Sequence, residues 1–115
     1  MSSQQGQNKG EMPVAEGARL TDLVNYQEGS VVSRTIVKRA TGTVTLFAFD
    51  EGQGLSEHTA AFDAVAQILE GEAEITVSGK ALRTTAGEGV LMPANQPHSL
   101  KALSRFKMLL TMIRS

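Results

Sequence analysis

The stretch Glu72-Ala73-Glu74-Ile75-Thr76-Val77-Ser78-Gly79-Lys80-Ala81-Leu82-Arg83-Thr84-Thr85-Ala86-Gly87-Glu88-Gly89-Val90-Leu91-Met92-Pro93 decides the fold class. Ala73, Ile75 and Val77 alternate with Glu72, Glu74 and Thr76, so an extended chain here is apolar on one side and wet on the other. Glu70 continues the outward series. Ser78-Gly79 is a two-residue hairpin signal that leads into Lys80–Thr85. Ala86 to Gly89 then turns the chain into Val90-Leu91-Met92, which Pro93 stops because it cannot donate to a ladder.

The same texture runs outward in both directions. Toward the C-terminus, Phe106 to Ile113 is almost wholly apolar, as a strand covered on both faces would be. Toward the N-terminus, Asp63 to Glu70 precedes Gly71, and Thr43 to Phe49 alternates Val44, Leu46 and Ala48 with Thr43, Thr45, Phe47 and Phe49. Ser30 to Arg39 is β-branched and ends at Ala40-Thr41-Gly42. Leu20, Leu23 and Val24 have helical spacing and predict one short helical turn before Gly29. Many short strands without a long helix predict an all-β sandwich or barrel. Residues 1–17 are rich in Ser, Gln, Gly and Glu and read as a flexible tail; residues 18–115 form a single domain.

Composition narrows the function. The 115 residues include no cysteine, which removes disulfides, thiolate metal sites and cysteine nucleophiles. A net charge of −1 with interspersed signs argues against nucleic acid or an anionic membrane as partner. No apolar run approaches the roughly 20 residues of a membrane span, and the first ten residues have no secretion-signal core. The expected location is therefore the cytoplasm. Met92, Met108 and Met112 read as core filler, and Arg34, Lys38 and Arg39 as a solvated strand face.

The chain has two histidines, His58 and His98, each beside turn residues. The segment Gly52 to Gly71, with His58 between, resembles the first motif of the cupins; Gly87, Pro93 and His98 resemble the second. Asn95 stands where a turn glycine is usual, and asparagine tolerates that left-handed conformation. The resemblance extends from about residue 30 to the C-terminus. It implies a cupin-type double-stranded β-helix, a jelly-roll barrel with an internal pocket. It also implies a homodimer, since small cupins commonly pair through sheet edges and N-terminal strands.

In that family a His-x-His pair, a glutamate and the second-motif histidine converge on a metal. Here the second histidine position is Ala60, the glutamate position is Ala64, and the asparagine that often closes the second motif falls at Ala102. His58 and His98 carry over as candidate pocket or metal-binding residues, with Ala60 and Ala64 lining an enlarged apolar pocket. Metal sites normally use three or four protein ligands, so two imidazoles would hold a divalent transition metal weakly unless Asp63 or Gln67 joins them. If Ala64, Ala66 and Ile68 face inward, alternation turns Asp63 and Gln67 outward, unless a bulge reverses it. Ser56, two residues from His58, shares its face only on a regular strand. The first functional reading is a small-molecule-binding cupin anchored by His58 and His98. The second is a metal-dependent oxygenase or isomerase acting on a small polar substrate, with the two histidines also able to serve as an acid–base pair. A third is a structural partner of another protein.

Overall fold

Alternating side chains and glycine turns give nine strands: β1 (Val31–Arg39), β2 (Gly42–Phe49), β3 (Gly54–His58), β4 (Phe62–Glu70), β5 (Glu72–Val77), β6 (Lys80–Thr85), β7 (Gly89–Met92), β8 (His98–Ala102) and β9 (Phe106–Arg114). The computed structural model describes residues 10–114; residues 1–9 of the expected tail lie outside the described residues. The strands form two antiparallel sheets, ordered β1-β2-β9-β4-β7 and β3-β8-β5-β6. This is an all-β jelly-roll barrel. Among the described residues no helix is long and apolar enough to cross a membrane.

Inward-facing residues of both sheets make the barrel core: Phe49, Ala64, Ala66, Ile68, Ala73, Ile75, Met92, Leu100, Ala102, Phe106 and Met108 are all buried. Phe49 and Phe106 are direct cross-strand partners on β2 and β9, with rings stacked at 4.4 Å and neither exposed. Met92 and Met108 fill this core, and Met112 packs against it.

The larger sheet is buried on its other face as well. A 3-10 turn at Leu20–Leu23 and the extended residues after it form an arm across the sheet. Val24, Ile36, Leu46 and Ala48 are buried there, with Leu20, Leu23, Tyr26, Leu69 and Leu109 packed around them. This double cover explains why β2 and β9 are apolar on both parities: Phe47 and Phe49 serve the barrel while Leu46 and Ala48 serve the arm. The helical turn ends at Leu23, well before Gly29, because Val24 is already extended and buried.

Polar contacts pin the arm. The Tyr26 hydroxyl donates to Glu70 Oε2 at 2.7 Å, and the Arg105 and Lys107 cations lie 5.1 and 4.9 Å from the centre of its ring. Burial, then the Glu70 hydrogen bond, holds the Tyr26 phenol above its ordinary pKa. Ahead of the turn, Met12 N–H donates to Ile36 O, and Glu11 accepts from Lys38 N–H and Arg39. Arg34 donates to the Gly10 and Leu23 carbonyls. Lys38 and Arg39 are exposed, as the solvated face expected from the sequence requires, while Arg34 is half-buried and, with Arg39, also ties down the N-terminal segment.

Candidate functional site

Two short strands that alternation alone does not delimit, β3 and β8, carry the histidines. Leu55 pairs with Leu100 and His58 with His98, so two residues separate the pair on β3 but only one on β8. The extra residue is a bulge at Ser56–Glu57. In a regular strand residues three apart face opposite sides; the bulge returns His58 to the face of Leu55, opposite His98. Ser56 therefore does not gain its place beside His58 from regular alternation; its main-chain carbonyl meets the ring instead. His98 belongs to the inward row His98, Leu100, Ala102 and is 8% exposed, while His58 is exposed. The pair consequently stands at an open end of the barrel.

Each imidazole is fixed by a main-chain carbonyl. His58 Nδ1 lies 2.8 Å from Ser56 O, and His98 Nδ1 lies 3.2 Å from Gln96 O. A carbonyl only accepts, so hydrogen on Nδ1 satisfies each of these contacts, and a ring in that tautomer presents a bare Nε2. Those two Nε2 atoms are 3.1 Å apart, with the rings edge-to-face at 68°. Two lone pairs at this separation repel unless positive charge or a donor lies between them. A proton on one Nε2, a hydrogen-bond donor from a ligand, or a metal ion each satisfies the pair. One ion with Zn–N bonds of about 2.0–2.1 Å can span it, because 3.1 Å is less than twice that length.

The loops around the pair are built to hold it. Asn95 adopts φ +65°, the left-handed conformation anticipated at the usual glycine position. Its N–H donates to Ala60 O at 2.7 Å, tying the turn before β8 to the loop after β3. The Asp63 carboxylate accepts from Ala94 N–H at 2.9 Å in the same seam. On the other side, Ser78 donates from its hydroxyl to Gln96 Oε1 and from its N–H to Pro97 O, each at 2.8 Å. The Gln96-Pro97 segment that carries the carbonyl orienting His98 is therefore held by Ser78 through the Gln96 side chain and the Pro97 carbonyl. These main-chain partners leave no signal in sequence; only the turn residues hint at them.

The remaining candidates separate by strand parity. Ala64 is 7% exposed on the inner face of β4, with Ala66 and Ile68 on the same row. Ala60 lies in the β3–β4 loop and contributes its carbonyl to the seam. Asp63 and Gln67 are exposed on the opposite parity, Gln67 beside Gly89 on the neighbouring strand. Among the described residues no group of three His, Cys, Asp or Glu side chains is placed to hold a metal ion. The donor set fits an ion held by two imidazoles with its other positions open, and does not fit a closed resident site.

Residues 45–113 match the model of the cupin domain family. The fold superposes on a conserved protein of unknown function from Streptococcus pyogenes with TM-score 0.87 and 35% identity, over 91% of this chain and 92% of the other. A cupin-superfamily protein from Desulfitobacterium hafniense gives TM-score 0.86 and 27% identity over 91% and 96%. A cupin 2 conserved barrel domain protein from Leptotrichia buccalis gives 0.79 and 36%, over 82% of this chain and 46% of its own. No curated protein matches the sequence. With two histidine motifs on a jelly roll and a family match over most of its length, the chain belongs to the cupin family.

Proposed function

We propose that this cupin binds a small molecule at the open end of its barrel, with Nε2 of His58 and Nε2 of His98 as the polar anchor. The supporting observation is the convergence of two carbonyl-fixed imidazoles, their Nε2 atoms 3.1 Å apart, on one point. Ala60 and Ala64 put small apolar side chains at the positions where the family's further metal ligands would stand. A divalent ion recruited here would be held by the two imidazoles and completed by the ligand, so it binds weakly in the ligand's absence. Such an ion would supply a Lewis acid with open positions, and this is the basis of a second reading, a metal-dependent oxygenase or isomerase for a small polar substrate.

Native mass spectrometry of tag-free protein, with and without Zn2+, Ni2+, Cu2+ or Mn2+, tests the proposal. The expected result is a co-purified or added small molecule, or a weakly held ion, retained by the wild type and lost in both His58→Ala and His98→Ala. Stoichiometric metal that survives dialysis against chelator would favour the enzyme. Binding unchanged in both variants would place the site elsewhere.

A further inference from the structure

Among the described residues no third His, Asp or Glu joins the histidine pair, and the chain has no cysteine. Methionine supplies a different metal-binding atom, the soft thioether sulfur. Strand register sets two methionines side by side with a position of the family's metal site. On the inner face of the larger sheet, Ala64 pairs directly with Met92 on β7 and with Met112 on β9. Direct cross-strand partners share a face, so the three side chains form one row, Met92–Ala64–Met112. The middle of that row is where the family carries its glutamate ligand; here a methyl group stands between two thioethers.

The row and the pair stand at the same end of the barrel, on different sheets. Residues 93–97 alone separate Met92, the end of β7, from His98, the start of β8. Residues 59–61 alone separate His58, the end of β3, from the start of β4, where Ala64 is the first buried residue. The bonds from Asn95 N–H to Ala60 O and from Ala94 N–H to Asp63 close these two connections on each other. Facing sheets pack about 10 Å apart, and a methionine and a histidine extended from opposite walls together cover that gap. Metal–nitrogen bonds of about 2.0 Å to two Nε2 atoms 3.1 Å apart enclose about 100°, close to the tetrahedral angle. A tetrahedral ion so held has two further positions, both directed away from the imidazoles.

We infer that Met92 and Met112 fill those two positions through their sulfur atoms, so that the site selects a soft monovalent ion, copper(I). The inference rests on the proposed site at the histidine pair and adds to it which ion that site takes. Thioethers favour copper(I), whereas a carboxylate at position 64 would favour harder divalent ions. Charge points the same way: two neutral imidazoles and two neutral thioethers bring no anion to offset a second positive charge at a partly buried site. Methionine has three rotatable side-chain bonds, so both sulfurs can turn to an ion while the strands keep their register. Met108 is the contrast. It shares the inner face of β9 but pairs with Phe47 and Ile68, deeper in the core and about 13 Å along the strand from Met112.

Anaerobic copper(I) titration of tag-free protein against a chromophoric copper(I) chelator, beside a Zn2+ titration, tests the assignment. The wild type is expected to bind one copper(I) at least ten-fold more tightly than one zinc. In protein carrying 13C-labelled methionine methyls, the Met92 and Met112 signals should move with copper(I) while that of Met108 stays. Met92→Leu and Met112→Leu nearly conserve volume, and each is expected to weaken copper(I) at least ten-fold while leaving zinc within two-fold. Met108→Leu should change neither. Copper(I) that is lost in His58→Ala and His98→Ala but indifferent to both leucine variants would overturn the methionine assignment and leave the histidine site standing. Copper(I) binding indifferent to the histidine variants would remove both. No copper(I) binding, with a small molecule still held by the histidines, would overturn the assignment alone.

Discussion

One ring pair lies in the barrel core and another at its open end, and direct cross-strand pairing makes both. Phe49 and Phe106 are direct partners across β2 and β9, with centroids 4.4 Å apart; His58 and His98 are direct partners across β3 and β8, with centroids 4.3 Å apart. The phenylalanines are stacked, fully buried and have no polar group to satisfy. The histidines are edge-to-face, one of them exposed, and their Nε2 atoms meet at 3.1 Å. One pair contributes to stability through dispersion and apolar burial; the other carries an electrostatic demand that an added partner would relieve. Cross-strand placement fixes the geometry in both, and ring chemistry together with solvent access decides whether that geometry serves stability or binding.

Mutations should split the two pairs cleanly. Phe106→Ala removes one ring from the dry stack and is expected to destabilise by about 3–5 kcal/mol in urea unfolding. Tyr26→Phe sharpens the contrast by asking what a half-buried polar contact outside the barrel contributes. It leaves the Glu70 carboxylate without its donor, so a loss of about 1–3 kcal/mol is expected in the same assay. His58→Ala, at an exposed position, is expected to change stability by less than about 0.5 kcal/mol while abolishing binding at the pair. A large stability loss from His58→Ala would instead make the histidine pair a structural element like the phenylalanines.

A pH experiment separates electrostatics in the connections from electrostatics at the site. Asp50 accepts from Gly29 N–H at 2.6 Å and from Arg105 at 2.8 Å, and these donors, the Gly29 amide first, lower its carboxyl to about 2. A depressed folded-state value means the contribution is complete above the ordinary 3.8 and is lost as pH falls from there toward 2. Unfolding midpoints of the wild type should therefore fall across that window. The fall should be shallower in Asp50→Asn, where no carboxylate remains to be protonated.

Sequence patterning made most of the sheet legible. Strands β1, β2, β4 to β7 and β9 combine alternation or sustained apolarity with glycine and proline punctuation, which are the local signals a strand leaves. Strands β3 and β8 escaped delimitation because they are five residues each, polar at several positions and, in β3, broken by a bulge that upsets parity. The candidate histidines were legible through their motif spacing, and the outward turn of Asp63 and Gln67 through alternation. The tautomers were not, because they depend on carbonyls of Ser56 and Gln96 whose positions come from the bulge and from the Ser78 clamp. The clasp of Tyr26 on Glu70, 44 residues away, is likewise set by tertiary packing rather than by any local pattern.

The central claim is that His58 and His98 offer two bare Nε2 atoms to one bound partner. Long-range 1H–15N correlation NMR of the imidazoles, recorded on tag-free protein during a Zn2+ titration, reads this directly. Both rings should show hydrogen on Nδ1, and both Nε2 resonances should move together as zinc is added while the Nδ1 signals persist. A ring with its hydrogen on Nε2 and a bare Nδ1, or zinc that leaves both Nε2 resonances unmoved, would contradict it.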